Sequence, residues 1–331
     1  MSVVYVTEQG ASVRKTSKRI LIMKDGKPLQ VIRLHELEKL VLFGNIQLTT
    51  QAMTALLNEG IEVSFLSSKG KFRGRLSPLE SKNIPLRISQ YKRYNDMNFR
   101  LSIAHRIVER KIRNGRSLIM RYKRTHSEVN LDTEIQHLDS MMGKVSDQNT
   151  IPSLMGVEGE SAATYFRAYG RMFLKDLQFS SRSRRPPGDP ANALLSLGYA
   201  LLTNEALGIL AAQGLDIHIG FLHEIHYGRP SLALDMVEEF RQPVVDRFVL
   251  SLANRLVFTV ENFDDNGDKG VLLNKDSFKR YLALYDRMMN VSFKDKESDR
   301  NVSFRSLLSR QAQRIAKCIL EEEEYKPFIM R

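Results

Sequence analysis

Apolar and polar positions alternate with a period of two through most of the first 76 residues, which predicts short strands over Val3–Thr7, Ser12–Lys15 and Arg19–Lys24. Asp25-Gly26 is a hairpin signal, because the central positions of a two-residue turn need positive φ, and it leads into a strand at Leu29–Leu34. Leu40–Phe43 is a further apolar run. The period then lengthens. Met53, Leu56 and Leu57 share one helical face within Thr49–Glu59, and Gly60 is placed to stop that helix. Ile61–Leu66 and Phe72–Leu76 return to strand. No catalytic constellation occurs in this stretch, which is assigned to packing, dimerisation or partner binding.

Ser77-Pro78 and Ile84-Pro85 mark a linker over 77–88, and beyond it the pattern is helical. Met97, Leu101, Ala104, Val108 and Ile112 recur at the spacing of a long amphipathic helix, broken at Asn114-Gly115. Leu131, Ile135, Leu138 and Met142 predict a surface helix. Leu154, Val157, Ala162, Tyr165, Phe166 and Phe173 predict a largely buried one capped by Ser153. Asp189-Pro190 is a strong helix start before the apolar, small-residue run Ala193–Ala212, which ends at Gly214 and reads as a buried central helix. After Gly228-Arg229-Pro230, Ser231 is placed as an N-cap for a helix carrying Leu232, Leu234, Val237 and Phe240. Further helices follow from Pro243 to Phe258 and from Phe304 to Leu320, and the tail Tyr325–Arg331 is either disordered or docks a partner. The predicted fold class is α+β: a small β-rich N-terminal domain over 1–76, then a larger all-α domain over 89–331.

Charge changes this picture more than length does. At 331 residues, a prior of about 150 per domain agrees with two domains. The formal net charge is +12, and between Ser67 and Arg124 seventeen Lys or Arg face only Glu80, Asp96 and Glu109, a local excess of +14. Positive charge concentrated in one segment, Lys69 to Arg124, fits a phosphate-backbone footprint, with a solvated basic helix as the plainer alternative. Within it Lys111 and Arg113 are candidate DNA contacts, and Arg182, Arg184 and Arg185 precede Pro186-Pro187 in a loop suited to clamping phosphates. The single cysteine, Cys318, excludes an internal disulfide framework and a cysteine-cluster metal site. No uninterrupted apolar run reaches the ~18 residues of a membrane span, and MSVVYVTEQG lacks the layout of a signal peptide. No membrane association and a reducing, cytoplasmic location are the expectations.

The candidate chemistry is concentrated in Leu215–Arg241, which holds His218, His223 and His226, three of the seven histidines, followed by Asp235, Glu238 and Glu239. On a helix, Asp235 lies three residues before Glu238 and four before Glu239, so the three carboxylates share or flank one face. Imidazole with carboxylate suits a divalent metal that also holds phosphate oxygens and water. Taken singly, DxxEE is more often a solvated acidic face, and a histidine in an apolar run more often a hydrogen-bonded core residue. A second contribution comes from Glu158, an acid among Leu154, Met155, Gly156, Val157 and Gly159 that needs solvent or a partner. A metal is one such partner; a first-turn position near a helix N-terminus is the other explanation. Asn192 either makes a core hydrogen bond or orients a ligand, and Tyr165 is counted with it as a supporting residue. Asp264–Asp268 resembles the start of a calcium loop, but Lys269 and Lys275 stand where glycine and a bidentate acid belong, so it is read as a turn.

Three motifs, MGVEGESAATYF, RPPGDPANALLSLGYALL and GFLHEIHYGRPSLALDMVEEFR, closely resemble, in this order, the CRISPR-associated endonuclease and integrase that catalyses spacer acquisition. The resemblance covers essentially the whole chain. It implies a β-rich N-terminal domain before an α-helical catalytic domain, a homodimer, and two dimers flanking a dimer of a small second CRISPR adaptation protein. Carried over by position, it places the metal ligands at Glu158, His223 and Glu238, with Asp235 as a supporting acid, and His218 and His226 as structural. Many relatives have aspartate where Glu238 stands. The resemblance implies Mg²⁺ or Mn²⁺, double-stranded DNA as prespacer and repeat, and insertion by 3′-hydroxyl attack on a phosphodiester. A metal-dependent nuclease of branched or damaged DNA and a non-enzymatic DNA-binding scaffold are the alternatives.

Overall fold

The computed structural model describes residues 2–78, 83–183, 186–295, 297–321 and 323–329. The chain divides into two compact units, Met1–Glu80 with Lys279–Asp286, and Ser81–Phe278 with Arg287–Arg331.

The first unit is built from two four-stranded sheets. One has the order β1 (Ser2–Val6), β5 (Leu37–Phe43), β7 (Glu62–Leu66), β8 (Phe72–Leu76); the other runs β4 (Lys27–Arg33), β3 (Arg19–Lys24), β2 (Ser12–Thr16), β6 (Gln47–Leu48). β1, β5 and β7 pair in parallel, while β2, β3 and β4 form an antiparallel meander. Its tight turn has Asp25 at φ 48° and Gly26 at φ 76°, the left-handed pair that a hairpin of this hand requires. Val4, Val6, Val13, Ile20, Ile22, Leu40, Leu42 and Val63, drawn from both sheets, bury their side chains in one core with Leu56 of α1 (Thr50–Asn58). The side chain of Thr49 caps α1. β4 is an edge strand, exposed except at Ile32.

The second unit is helical: α2 (Ile84–Asn95), α3 (Met97–Thr125), α4 (Asp132–Val145), α5 (Ile151–Gly170), α6 (Pro190–Gln213), α7 (Ser231–Glu238), α8 (Arg247–Asn254), α9 (Lys275–Asn290, whose middle belongs to the first unit) and α10 (Phe304–Glu321). The segment read as linker therefore contributes residues 84–88 to a helix. α3 does not break at Asn114-Gly115, because tertiary packing uses both residues. Asn114 Nδ2 donates to the carbonyls of Glu239 (2.8 Å) and Phe328 (3.2 Å), and a Cβ on Gly115 would stand 3.0 Å from the Tyr165 ring. α5 starts earlier than its pattern implies, with Thr150 rather than Ser153 as the cap. Glu158 consequently lies two turns into the helix, which removes the explanation as a first-turn residue.

α6 is long and apolar enough to cross a bilayer by composition, yet 67% of that window is buried inside the protein. It is the central helix of the unit, capped by Asp189 and ended by Gly214 at φ 91°. Asp264 and Asp265 belong to the short hairpin of β9 (Phe263–Asp265) and β10 (Val271–Leu273). The described part of the tail, 323–329, docks on its own chain. Phe328 stacks on Phe240 at 4.8 Å, and Gln311 Nε2 donates to the Lys326 carbonyl at 2.7 Å.

Candidate active site

The loop 215–230 between α6 and α7 has almost no regular structure, so its shape depends on what its backbone groups bond to. Gln90 of α2 donates to the carbonyls of Asp216 and Ile219 and accepts from the Asp216 N–H, all at 2.9 Å. Arg100 of α3 donates to the Phe221 carbonyl at 2.9 Å. From α7, the buried Asp235 carboxylate accepts three consecutive amides, Phe221 (2.5 Å), Leu222 (3.0 Å) and His223 (2.9 Å). Gly220 makes this approach possible: a Cβ there would lie 2.8 Å from Asp235 Oδ2 and from the Ser231 carbonyl carbon. Ser231 itself is the first helical residue rather than the cap, and its hydroxyl donates to the Glu224 carbonyl at 2.8 Å.

The fourth bond to Asp235 comes from His223 Nδ1, at 2.7 Å. A carboxylate can only accept, so Nδ1 carries a proton, and in the neutral ring that tautomer puts the lone pair on Nε2. Asp235 is thus committed to orienting the imidazole and the loop, with both oxygens used.

Two carboxylates from different helices converge nearby. Lys111 of α3 pairs with Glu158 of α5 and, at 2.5 Å, with Glu238 of α7; Arg241 pairs with the other oxygen of Glu238 at 2.9 Å. The Glu238 side chain is 4% exposed. Burial alone would raise its carboxyl, but Arg241, Lys111 and His223 outweigh that and hold it at about 2.

Among the described residues no three His, Cys, Asp or Glu side chains converge tightly enough to coordinate one ion. The reason at Glu158 and Glu238 is the ammonium between them, which supplies the positive charge both carboxylates face. The donor chemistry nevertheless fits a hard divalent cation: two carboxylates, an imidazole with a free lone pair, and a buried oxygen, Glu238 Oε2, without an aligned hydrogen bond.

Behind these groups lies a cavity of about 30 Å³, enough for a water molecule, lined in part by Lys111, Glu158, Tyr165, Tyr199, Arg241 and Gln242. The Tyr165 hydroxyl donates to the buried Asp246 carboxylate at 2.7 Å, Tyr199 donates to its other oxygen, and Tyr169 donates to its carbonyl at 2.8 Å. Burial pushes the Asp246 carboxyl up to about 6 in spite of these bonds. Asp246 ends a π-helical turn, Arg241–Asp246, that follows α7 after Glu239 and Phe240 and runs directly into α8.

Comparison with known proteins decides the family. The model of the family described as CRISPR associated protein Cas1 matches residues 4–287. The chain belongs to the Cas1 family. It is 34% identical over 331 residues to the CRISPR-associated endonuclease Cas1 3 of Thermus thermophilus, covering 99% of this chain and 95% of that protein. The Cas1 protein of Thermotoga maritima superposes with a TM-score of 0.84 at 25% identity, covering 99% of this chain and 100% of that one. A casposase bound to its integration product shares the fold, with a TM-score of 0.86 at 23% identity over 98% of this chain and 92% of its own. As a Cas1-family member the protein is a DNA endonuclease and integrase of CRISPR adaptation, in a family that depends on divalent metal.

Several residues singled out from sequence have other employment in this Cas1 fold. Lys111, expected to contact DNA, is inside the carboxylate site. Arg182 bonds Asn192 Oδ1 (2.7 Å) and Ser196 Oγ (3.0 Å) and lies 5.4 Å over the Tyr199 ring, so its guanidinium folds the loop. Asn192, read as either a core hydrogen-bonding residue or one that orients a ligand, closes that loop by accepting from the Ser183 N–H and donating to Ser181 and Asp189. Arg113 is half-exposed and pairs with Glu109 one turn earlier, an arrangement open to exchange for phosphate. Arg184 and Arg185 lie outside the described residues. His218 Nδ1 bonds the Arg229 carbonyl at 2.9 Å, a structural role. Glu239 faces away and holds the tail. Arg241 and Asp246 were not singled out, although Arg241 follows Glu238 by three residues, a pairing distance on a helix.

Proposed function

We propose that Glu158, His223 and Glu238 hold the divalent cation, Mg²⁺ or Mn²⁺, at which this Cas1-family protein inserts short DNA into a CRISPR array. The observation that carries the reading is the convergence of Glu158 and Glu238 on one cationic point from two helices, beside an imidazole that Asp235 turns outward through Nε2. The bound cation would supply Lewis-acid polarisation of a phosphodiester oxygen and neutralise charge gathering on the pentavalent phosphorus. The chain's own residues prepare this. Asp235 fixes the ring and its tautomer, the three amides fix Asp235, and Arg241 keeps Glu238 ionised in a buried position. Lys111, displaced from between the carboxylates, is a cation already in place for a phosphate oxygen.

In the reaction the 3′-hydroxyl oxygen of the incoming DNA gives up its proton and forms a bond to a repeat phosphorus, the bond to the target's own 3′ oxygen breaks, and that oxygen takes up a proton. Double-stranded prespacer and repeat, a homodimer, the small second CRISPR adaptation protein and a cytoplasmic location complete the proposal. Part of the charge on α3 is paired within the chain: Arg106 with Glu324, Arg116 with Asp139 and Lys123 with Asp132. Arg113 is the α3 contact we assign to phosphate, together with Arg184 and Arg185.

The test is a strand-transfer assay with a short duplex bearing free 3′-hydroxyls, a supercoiled repeat plasmid, Mg²⁺ or Mn²⁺ and the small partner. Joining that disappears with His223→Ala or with blocked 3′ ends supports the proposal. Metal-dependent cleavage without joining favours a nuclease of branched or damaged DNA, and DNA binding without either reaction favours a scaffold.

A further inference from the structure

Four residues beyond His223, Tyr227 has a relative exposure of 109%, the extreme among the large apolar and aromatic side chains the structure exposes. Its ring is wholly in solvent, and Ile225, two residues before it, is 41% exposed. The backbone beneath them is not loose. The Ser231 hydroxyl holds the Glu224 carbonyl at 2.8 Å, the Arg229 N–H closes a turn onto the His226 carbonyl at 2.9 Å, and Gly228 takes φ 69° to allow it. His218 anchors the other side through the Arg229 carbonyl. The only acid in this stretch, Glu224, lies 3.7 Å from Arg100, which leaves His226 and Arg229 as the polar flanks of the ring. A fixed turn thus presents a bare aromatic face, a neighbouring aliphatic and basic flanks beside the imidazole of the candidate site.

We infer that Tyr227, with Ile225, is a stacking platform for an unpaired nucleobase of the DNA that enters this site. The inference rests on His223 lying at the reaction centre. A planar, apolar face linked to phosphate is the ligand chemistry that an aromatic between basic groups recognises, and every base offers one, so the contact is tolerant of sequence. Reach agrees with this. Four residues span at most about 14 Å, which is about four nucleotides at ~3.4 Å each, so the stacked base lies within a few nucleotides of the reacting phosphate.

The chain contains no tryptophan, so Tyr227→Trp places a single reporter at the platform. The full-length protein is titrated, without divalent metal, with a duplex carrying short unpaired 3′ ends and with a blunt duplex of equal length. Quenching of the tryptophan by the first and not by the second is expected. In parallel, Tyr227→Ala weakens binding of the duplex with unpaired ends roughly 5- to 150-fold, leaves blunt-duplex binding unchanged, and is rescued by Tyr227→Phe, which keeps the stacking face. Emission indifferent to the unpaired ends, equal weakening for both duplexes, or failure of Tyr227→Phe to rescue would overturn the inference. Emission answering instead to the small adaptation protein alone would make the ring a protein contact and also overturn it. Retention of joining by His223→Ala would contradict the site reading while leaving the fluorescence result standing, so the two failures are separable.

Discussion

Glu238 and Glu239 are adjacent, identical and both buried, yet the two sides of the chain they face have made them opposites. Glu238 looks toward Lys111, Arg241 and His223, and its carboxyl is held at about 2. Glu239 looks toward the C-terminal tail, where Tyr325 donates to one oxygen and the Phe328 N–H to the other at 2.7 Å. Burial raises its carboxyl to about 7, only partly offset by those bonds and, more weakly, by the charges of Arg110 and Arg314. A buried carboxylate paired directly with cations stays charged and available to a metal, whereas one bonded directly to neutral donors becomes a structural bond. The neighbours, not the residue type, decide between chemistry and architecture.

The largest expected effect separates the pair directly. Glu238→Gln should lower strand joining on the order of 100-fold or more with the fold retained. Glu239→Ala should leave joining in place and cost about 1–3 kcal/mol of stability, because the Tyr325 hydroxyl and the Phe328 amide lose their partner. Strand-transfer rates and urea unfolding of both variants check this.

Asp246 extends the neutral-donor side. Its folded carboxyl, at about 6, lies above the ordinary value of 3.8, so the native state binds the extra proton. That contribution to stability is present below about pH 4 and is lost as pH rises through 6. The difference in unfolding free energy between wild type and Asp246→Asn should change across this window by about 1–3 kcal/mol and be flat above it.

Lys111 tests the cationic side. Lys111→Met removes the ammonium that competes for Glu158 and Glu238, so Mn²⁺ should bind about tenfold more tightly, while the metal-free protein unfolds at a lower temperature. Electron paramagnetic resonance of free Mn²⁺ reads the first, and scanning calorimetry the second. Arg113→Ala carries the smallest change. Its exposed pair with Glu109 should matter by less than about 0.5 kcal/mol, and the salt dependence of DNA binding should fall by about one contact.

Much of the first unit was legible because period-two patterning and Asp25-Gly26 act locally. The parallel pairing of β1, β5 and β7 was not, since crossovers leave no mark at the strands themselves. In the helical unit Glu158 stood out as an acid in an apolar run, and His223 stood out through its motif. Lys111 did not: on α3 it is one basic residue among many, and only the approach of α5 and α7 makes it part of a site. Asn114-Gly115 has the propensity of a helix break, yet the Glu239 and Phe328 carbonyls and the Tyr165 ring override it. The docking of the tail was equally hidden, because it depends on which way Glu239 faces on a helix end where three acids lie close together.

The central claim, that Glu158, His223 and Glu238 form one cation site and Glu239 does not belong to it, is tested most directly by Mn²⁺ titration followed by electron paramagnetic resonance. Wild type should take up the ion, Glu158→Gln, His223→Ala and Glu238→Gln should each bind at least about tenfold more weakly, and Glu239→Ala should match wild type. Affinity unchanged in the first three variants, or lost in Glu239→Ala with its fold intact, would contradict it.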